Sequence, residues 1–170
     1  MERMIRRMPS GNAAEYCSFI GMESARTDEG FAARLYDSME MLVFEGYTHF
    51  ICDGSCASGL QAAQDAAALR RVYPELTVEL VFPYDVRAVG CAAWVLDLMY
   101  QADVVTMISA AADMEAGRKL KSYLVRQGSL LLAASDAATG RVAPAVEQAR
   151  LAGRQVTCIP ASSEMMAMAV

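Results

Sequence analysis

Histidine is almost absent from this chain: the one copy, His49, falls inside a run of strand-forming residues rather than in a loop. Cys52 and Cys56 have the spacing of a metal-binding pair, but there is no second close pair and no loop histidine to complete the ligand set, so no metal site is expected. The five cysteines (Cys17, Cys52, Cys56, Cys91 and Cys158) are odd in number and sit mostly in or beside apolar runs, which argues for buried reduced thiols rather than a disulfide framework. Positive charge is also scarce. Fifteen Lys and Arg against twenty Asp and Glu give a formal charge of −5, the opposite of the basic footprint that binding nucleic acid requires. No apolar stretch is as long as the ~18 residues of a membrane span. Residues 1–14 carry Arg3, Arg6 and Arg7 but lack the continuous apolar core of a signal peptide. A soluble, cytoplasmic protein with neither nucleic acid nor membrane as partner is the expectation.

What the chain does have is an apolar majority, 55% of 170 residues, enough for one well-packed domain and too few residues for two. Residues 1–14 are expected to form an N-terminal extension, 15–160 the domain, and 161–170 a small, methionine-rich tail beyond Pro160. Short apolar runs at 16–20, 48–52, 77–82, 104–108, 129–134 and 156–159 predict strands. Between them, helical periodicity places Phe31, Leu35, Met39, Leu42 and Val43 on one face of 28–45, with Asp28 able to cap that helix. Further helices are expected at 57–72, around Trp94 to Met99, at 113–127 and at 142–152, with Pro144 tolerated in a first turn. On the 113–127 helix, Leu120 and Leu124 face inward, while Arg118, Lys119, Lys121 and Arg126 form a solvated outer face. Six strands alternating with helices predict an α/β, Rossmann-like three-layer sandwich around a mostly parallel six-stranded sheet. Ligands of such sheets sit beyond the carboxyl ends of the strands. That directs attention to the loops 21–26, 53–59, 109–113 and 135–140.

The stretch 46–63 is the most informative of these. It reads as turn, strand, small-residue loop and alanine-rich helix. Backbone N–H groups at such a corner can hold an anion, although the loop matches neither the dinucleotide glycine fingerprint nor the P-loop with its lysine.

Several segments, taken in order, resemble the YpsA-like family of the SLOG superfamily. They are Cys17-Ser18-Phe19-Ile20-Gly21, Gly46-Tyr47-Thr48-His49-Phe50-Ile51, and the helix opened by Leu60, Ala62 and Ala63 and running to Tyr73-Pro74. The run 76–83, Gln101-Ala102-Asp103-Val104-Val105 and the run 131–136 complete the set, which spans about residues 16–160. The resemblance implies a Rossmann-like fold, a nucleotide or nucleotide-derived ligand, and a homodimer built through the helices around Trp94 to Met99 and Leu120 to Leu124. The loops depart from the family pattern. Met22 and Glu23 replace the His-Arg expected after Gly21, which puts an anion where a cation is expected. At the second corner the pattern Gly-Gly-Ala-x-Gly-x-Asp is met by Asp53, Gly54, Ser55, Ala57 and Gly59, so only Gly54 is kept. Leu120-Lys121-Ser122 and Leu124-Val125-Arg126 fall where Arg-Asn-Arg and Met-Val-Asp are expected. The Gly-Gly-Thr turn becomes Gly140-Arg141-Val142, and Ala145 stands for the glutamate of the related phosphoribohydrolases.

The ligand-binding candidates are therefore Gly21, Glu23, Asp53, Gly54, Ser55, Ser58, Gly59, Ser135, Asp136, Gly140 and Arg141. The sequence supports a small-ligand-binding protein with a degenerate nucleotide site, with no cofactor and no catalytic residue assigned. One alternative is an inactive scaffold or subunit acting through protein contacts. Another is a hydrolase of a nucleotide-derived substrate, for which only Asp53, Asp113 and Asp136 could serve.

Overall fold

Apolar runs long enough for a strand but too short for a helix become strands here, and the segments between them fold back over the sheet they form. The computed structural model describes residues 1–9, 12–21, 28–135 and 143–162. The strands are β1 (Glu2–Ile5), β2 (Tyr16–Ile20), β3 (His49–Asp53), β4 (Thr77–Phe82), β5 (Val104–Met107), β6 (Leu130–Ser135) and β7 (Gln155–Pro160). The helices are α1 (Phe31–Phe44), α2 (Ala57–Val72), the single turn α3 (Val86–Val89), α4 (Ala93–Gln101), α5 (Ala116–Gln127) and α6 (Ala143–Leu151). Among the described residues the sheet has seven strands in the order β1-β5-β4-β3-β2-β6-β7, and β2 to β7 pair in parallel throughout.

The six expected strands are all present; the seventh corrects the count. β1 comes from the stretch expected to be an extension, and it pairs antiparallel with β5, Glu2 opposite Met107 and Ile5 opposite Val104. It has no apolar run to announce it because side chains and main chain hold it in place. Arg3 Nη2 reaches Glu79 Oε2 at 3.4 Å, the Arg6 guanidinium donates to the carbonyls of Met99 and Ala102, and Arg7 Nη1 donates to the Pro74 carbonyl at 2.9 Å.

From β2 the chain steps through β3 and β4 to β5 in one direction, with α1, α2 and α4 on one face. It then returns past β2 to β6 and β7, with α5 and α6 on the other face, as right-handed crossovers require. The direction reverses between β2 and β6. The helices sit close because small residues face the sheet: Ala62, Ala63 and Ala66 of α2 are fully buried, as are Leu35 and Met39 of α1. α1 begins at Phe31 with Gly30 as its cap residue, not at Asp28. The Asp28 carboxylate instead takes the Arg34 guanidinium at 2.7 Å.

One charged residue interrupts the apolar centre. Glu79, in the middle of β4, is 2% exposed. Thr106 and Tyr123 donate their hydroxyls to its Oε1, each at 2.7 Å, and His49 Nε2 lies 3.1 Å from Oε2. The Tyr16 ring stacks on that histidine at 4.2 Å. Burial pushes the Glu79 carboxyl up, but the bonds from His49, Thr106 and Tyr123, with the Arg3 charge, outweigh it and hold the group below its usual range. A second buried carboxyl has fewer partners. Asp65 of α2 accepts one bond from Gln61 at 2.9 Å, its Oδ2 has no hydrogen-bond partner among the described residues, and burial pushes the carboxyl up to about 6.

Candidate functional site

Strands that run in parallel bring their carboxyl ends, and the loops that follow them, to one edge. β3 ends there at Asp53, the chain turns through residues 54–56, and α2 starts at Ala57. The turn is tightly packed. A Cβ at Gly59 would lie 1.8 Å from the Asp53 carbonyl oxygen, and one at Gly21 would lie 2.1 Å from Cys56 Sγ and 2.5 Å from Ser58 Oγ. Glycine at these two positions lets α2 rest directly on the end of β3 and the loop after β2 rest directly on α2.

At the centre of the corner is the Asp53 carboxylate, which is 1% exposed. Its Oδ1 accepts from the Ser55 backbone N–H at 2.9 Å and from Ser55 Oγ at 2.5 Å, and its Oδ2 accepts from the Gly21 N–H at 3.4 Å. Burial pushes this carboxyl above its usual range, opposed by those three bonds and by the charge of Lys121. The Gly54 N–H is directed at the Val81 carbonyl at 2.7 Å. The amides of Gly54 and Ser55, which the sequence offers to a ligand, are thus engaged within the chain.

Beside the corner lies a cleft of about 360 Å³. Gly54 and Ser55 form one wall, Pro83, Tyr84 and Val86 from beyond β4 another, and Asp113, Met114, Gly117 and Lys121 the third. That volume suits a small molecule, with the Lys121 ammonium, the Asp113 carboxylate and two hydroxyls as polar contacts. A groove of about 450 Å³ also runs between α5 and α6, lined by Arg118, Lys119, Ser122, Val125, Arg126 and Gln148. It lies on the helices away from the strand ends, and Glu115 pairs with both Arg118 at 2.6 Å and Lys119 at 3.9 Å, so a solvated basic face describes it.

Of the residues expected at the site, Gly21, Asp53, Gly54, Ser55, Ser58 and Gly59 meet at this single corner, and Asp113 lines the adjoining cleft. Ser58 is buried against Gly21 and Cys56 and lines none of the cleft. Ser135 closes β6, opposite Pro160 of β7. Glu23, Asp136, Gly140 and Arg141 lie outside the described residues. Lys121 is the main correction: the sequence assigns it to the solvated outer face, whereas it lines the cleft. Its signal is the spacing of Gly117 and Lys121, one helical turn apart in the first half of α5. Tyr84 and Val86 lie outside the four loops expected to hold the ligand; their signal is that the loop after β4 also ends at the carboxyl edge. Among the described residues no group of three His, Cys, Asp or Glu could hold a metal ion. Burial pushes the Cys17 and Cys52 thiols up, away from the reactive thiolate.

No family model matches the chain, and no curated protein matches its sequence. Among solved structures it is similar to the Moco carrier protein of Chlamydomonas rheinhardtii, at 14% identity and a TM-score of 0.52, over 85% of this chain and 75% of that one. The fold is Rossmann-like. At that identity the likeness speaks for the architecture alone. No helix among the described residues is long and apolar enough to cross a membrane.

Proposed function

We propose that this chain is a small-ligand-binding protein of the YpsA-like type, working in the cytoplasm and holding its ligand in the cleft between Ser55, Tyr84 and Lys121. The observation that carries this reading is the position of the cleft: it opens at the carboxyl edge of the parallel strands and has one cation in its wall. A hydrolase is less well supported. Asp53 is committed to three internal hydrogen bonds, which leaves Asp113 as the one carboxylate among the described residues that lines the cleft, where acid–base hydrolysis usually draws on a converging pair. Ordinary nucleoside phosphates should bind no more tightly than about 1 mM, or about −4 kcal/mol. Glu23 places an anion where the resemblance expects a cation, and Arg141 removes an expected glycine.

A thermal-shift screen of small metabolites, nucleotides and Moco, the last because the structural neighbour is described as its carrier, tests the reading. The expected result is a ligand that raises the midpoint of wild type and acts at least about tenfold more weakly on Lys121→Ala, as the loss of one charge-assisted contact predicts. Hits acting equally on both proteins would move the site elsewhere.

The same proposal includes a homodimer. Leu120 and Leu124 are fully buried against the sheet and have nothing to offer a partner, but Trp94 and Tyr100 of α4 are exposed. Light scattering that gives the 18.4 kDa monomer at high concentration would remove the dimer.

A further inference from the structure

The charges along α5 and the turn before it have two different fates. Glu115 pairs with Arg118 and Lys119, and Arg126 Nε donates to the Ser122 carbonyl at 3.3 Å, so that side is satisfied within the helix. Asp113 and Lys121 form no ion pair with each other or with any other described residue. The Asp113 carboxylate touches the Ser109 hydroxyl at 3.5 Å, and the Lys121 charge acts on the buried Asp53 without pairing with it. Yet both line one cleft, with Gly117 between them on the same wall. Residues 113, 117 and 121 are spaced by four, which sets them in a single stripe. A Cβ at Gly117 would meet nothing within 4 Å, so the wall is open from one charge to the other. Lys121 stands about 6 Å along the helix from Gly117 and Asp113 about one turn further back, which sets the two charged groups roughly 6 to 11 Å apart. The facing wall of Pro83, Tyr84 and Val86 adds no charge, because Asp85 takes the Arg87 guanidinium in two bonds of 2.8 Å.

We propose that the cleft takes an extended zwitterion: an amine at one end held by Asp113, a carboxylate at the other held by Lys121, and a short uncharged chain between them lying over Gly117 against Tyr84, as in a short peptide or an ω-amino acid. This names the ligand class of the proposed function and rests on that cleft being the ligand site. Each end then makes a charge-assisted hydrogen bond to a group that has no ion pair of its own. A ligand with an anion at both ends meets Asp113 as a like charge, and one with a cation at both ends meets Lys121 in the same way.

Amide-resolved NMR titration of the full chain, followed at the Gly117 signal, tests this with 6-aminohexanoate and triglycine as zwitterions and with hexanoate and hexylamine as their single-charge counterparts. Both zwitterions should move the signal saturably, and 6-aminohexanoate should bind at least about tenfold more tightly than either counterpart. Asp113→Asn should erase its advantage over hexanoate, and Lys121→Gln its advantage over hexylamine. The exchanged protein Asp113→Lys with Lys121→Asp should regain the preference for the zwitterion, bound end for end. Hexanoate binding as tightly as 6-aminohexanoate, with both lost in Lys121→Gln, would overturn the proposal while leaving the cleft as the ligand site. A Gly117 signal that no zwitterion moves would overturn it too, and the metabolite screen on Lys121→Ala then decides the cleft separately. If the variants do not fold, as judged by spectral dispersion, the four titrations of wild type decide.

Discussion

Glu79→Ala should lower folding stability by about 3 to 5 kcal/mol, the range for breaking one side of a buried charged network. The substitution strands the Thr106 and Tyr123 hydroxyls, both of which donate to Glu79 Oε1, in a place water does not reach. His49 and Arg3 lose their partner as well. Urea unfolding measures the loss; a change below about 1 kcal/mol would show that the network contributes little. The pH dependence has a definite sign. Glu79 is held below its ordinary value in the folded state, so its contribution is complete above the unfolded carboxyl value near ~4.3 and is lost as pH falls through the lower folded value. Asp65 acts in the opposite direction. Its folded value is raised to about 6, so its favourable contribution is present below the unfolded value of ~3.9 and disappears as pH rises towards 6. Acid unfolding should therefore be shallower in Glu79→Ala than in wild type, and an unchanged acid limb would contradict the assignment.

Gly59→Ala should cost at least about 2 kcal/mol, although alanine is the better helix former by about 1 kcal/mol. The added Cβ would stand 1.8 Å from the Asp53 carbonyl oxygen and 2.8 Å from its carbon, both backbone atoms, so all of α2 has to move away from β3. The same change at Gly117 provides the control. There a Cβ meets nothing within 4 Å, and the propensity gain of up to about 1 kcal/mol should appear as added stability. Opposite signs for one substitution in two helices, read from paired urea curves, separate packing from propensity. A stable Gly59→Ala protein would mean that the corner can open.

These effects also show what the chain discloses as text. The bounds of β2, α2 and β4 were legible to the residue because Gly21, Pro74 and Pro83 punctuate clean apolar patterns. β1 was not, since its placement depends on what Arg3, Arg6 and Arg7 touch far along the chain. The start of α1 was misplaced because Asp28 has a second use for its carboxylate, the Arg34 guanidinium. Periodicity identifies which side of α5 meets the sheet, and Leu120 and Leu124 are buried accordingly. It does not say that Lys121, off that stripe, overlooks the end of β3; that follows from the strand order. The corner at Asp53 was found for its small residues, but whether its amides face a ligand or the chain's own carboxylate is a matter of side-chain direction. Glu79 is a signal in the sequence: a charged residue midway along an apolar strand requires buried partners, and His49, Thr106 and Tyr123 supply them.

The position of β1 bears on the order in which the molecule can be assembled. Residues 2–5 leave the ribosome long before residues 104–107, yet among the described residues each segment is the other's only neighbour on that side of the sheet. During synthesis β1 thus cannot be seated until β5 is complete, although β6 and β7 are still to follow. While it waits, Arg3, Arg6 and Arg7 keep the segment charged and hydrated. When β5 is complete, the same three side chains find Glu79 and the open carbonyls of Met99, Ala102 and Pro74. Docking β1 then covers the outer edge of β5, which would otherwise remain open to pairing with another nascent chain.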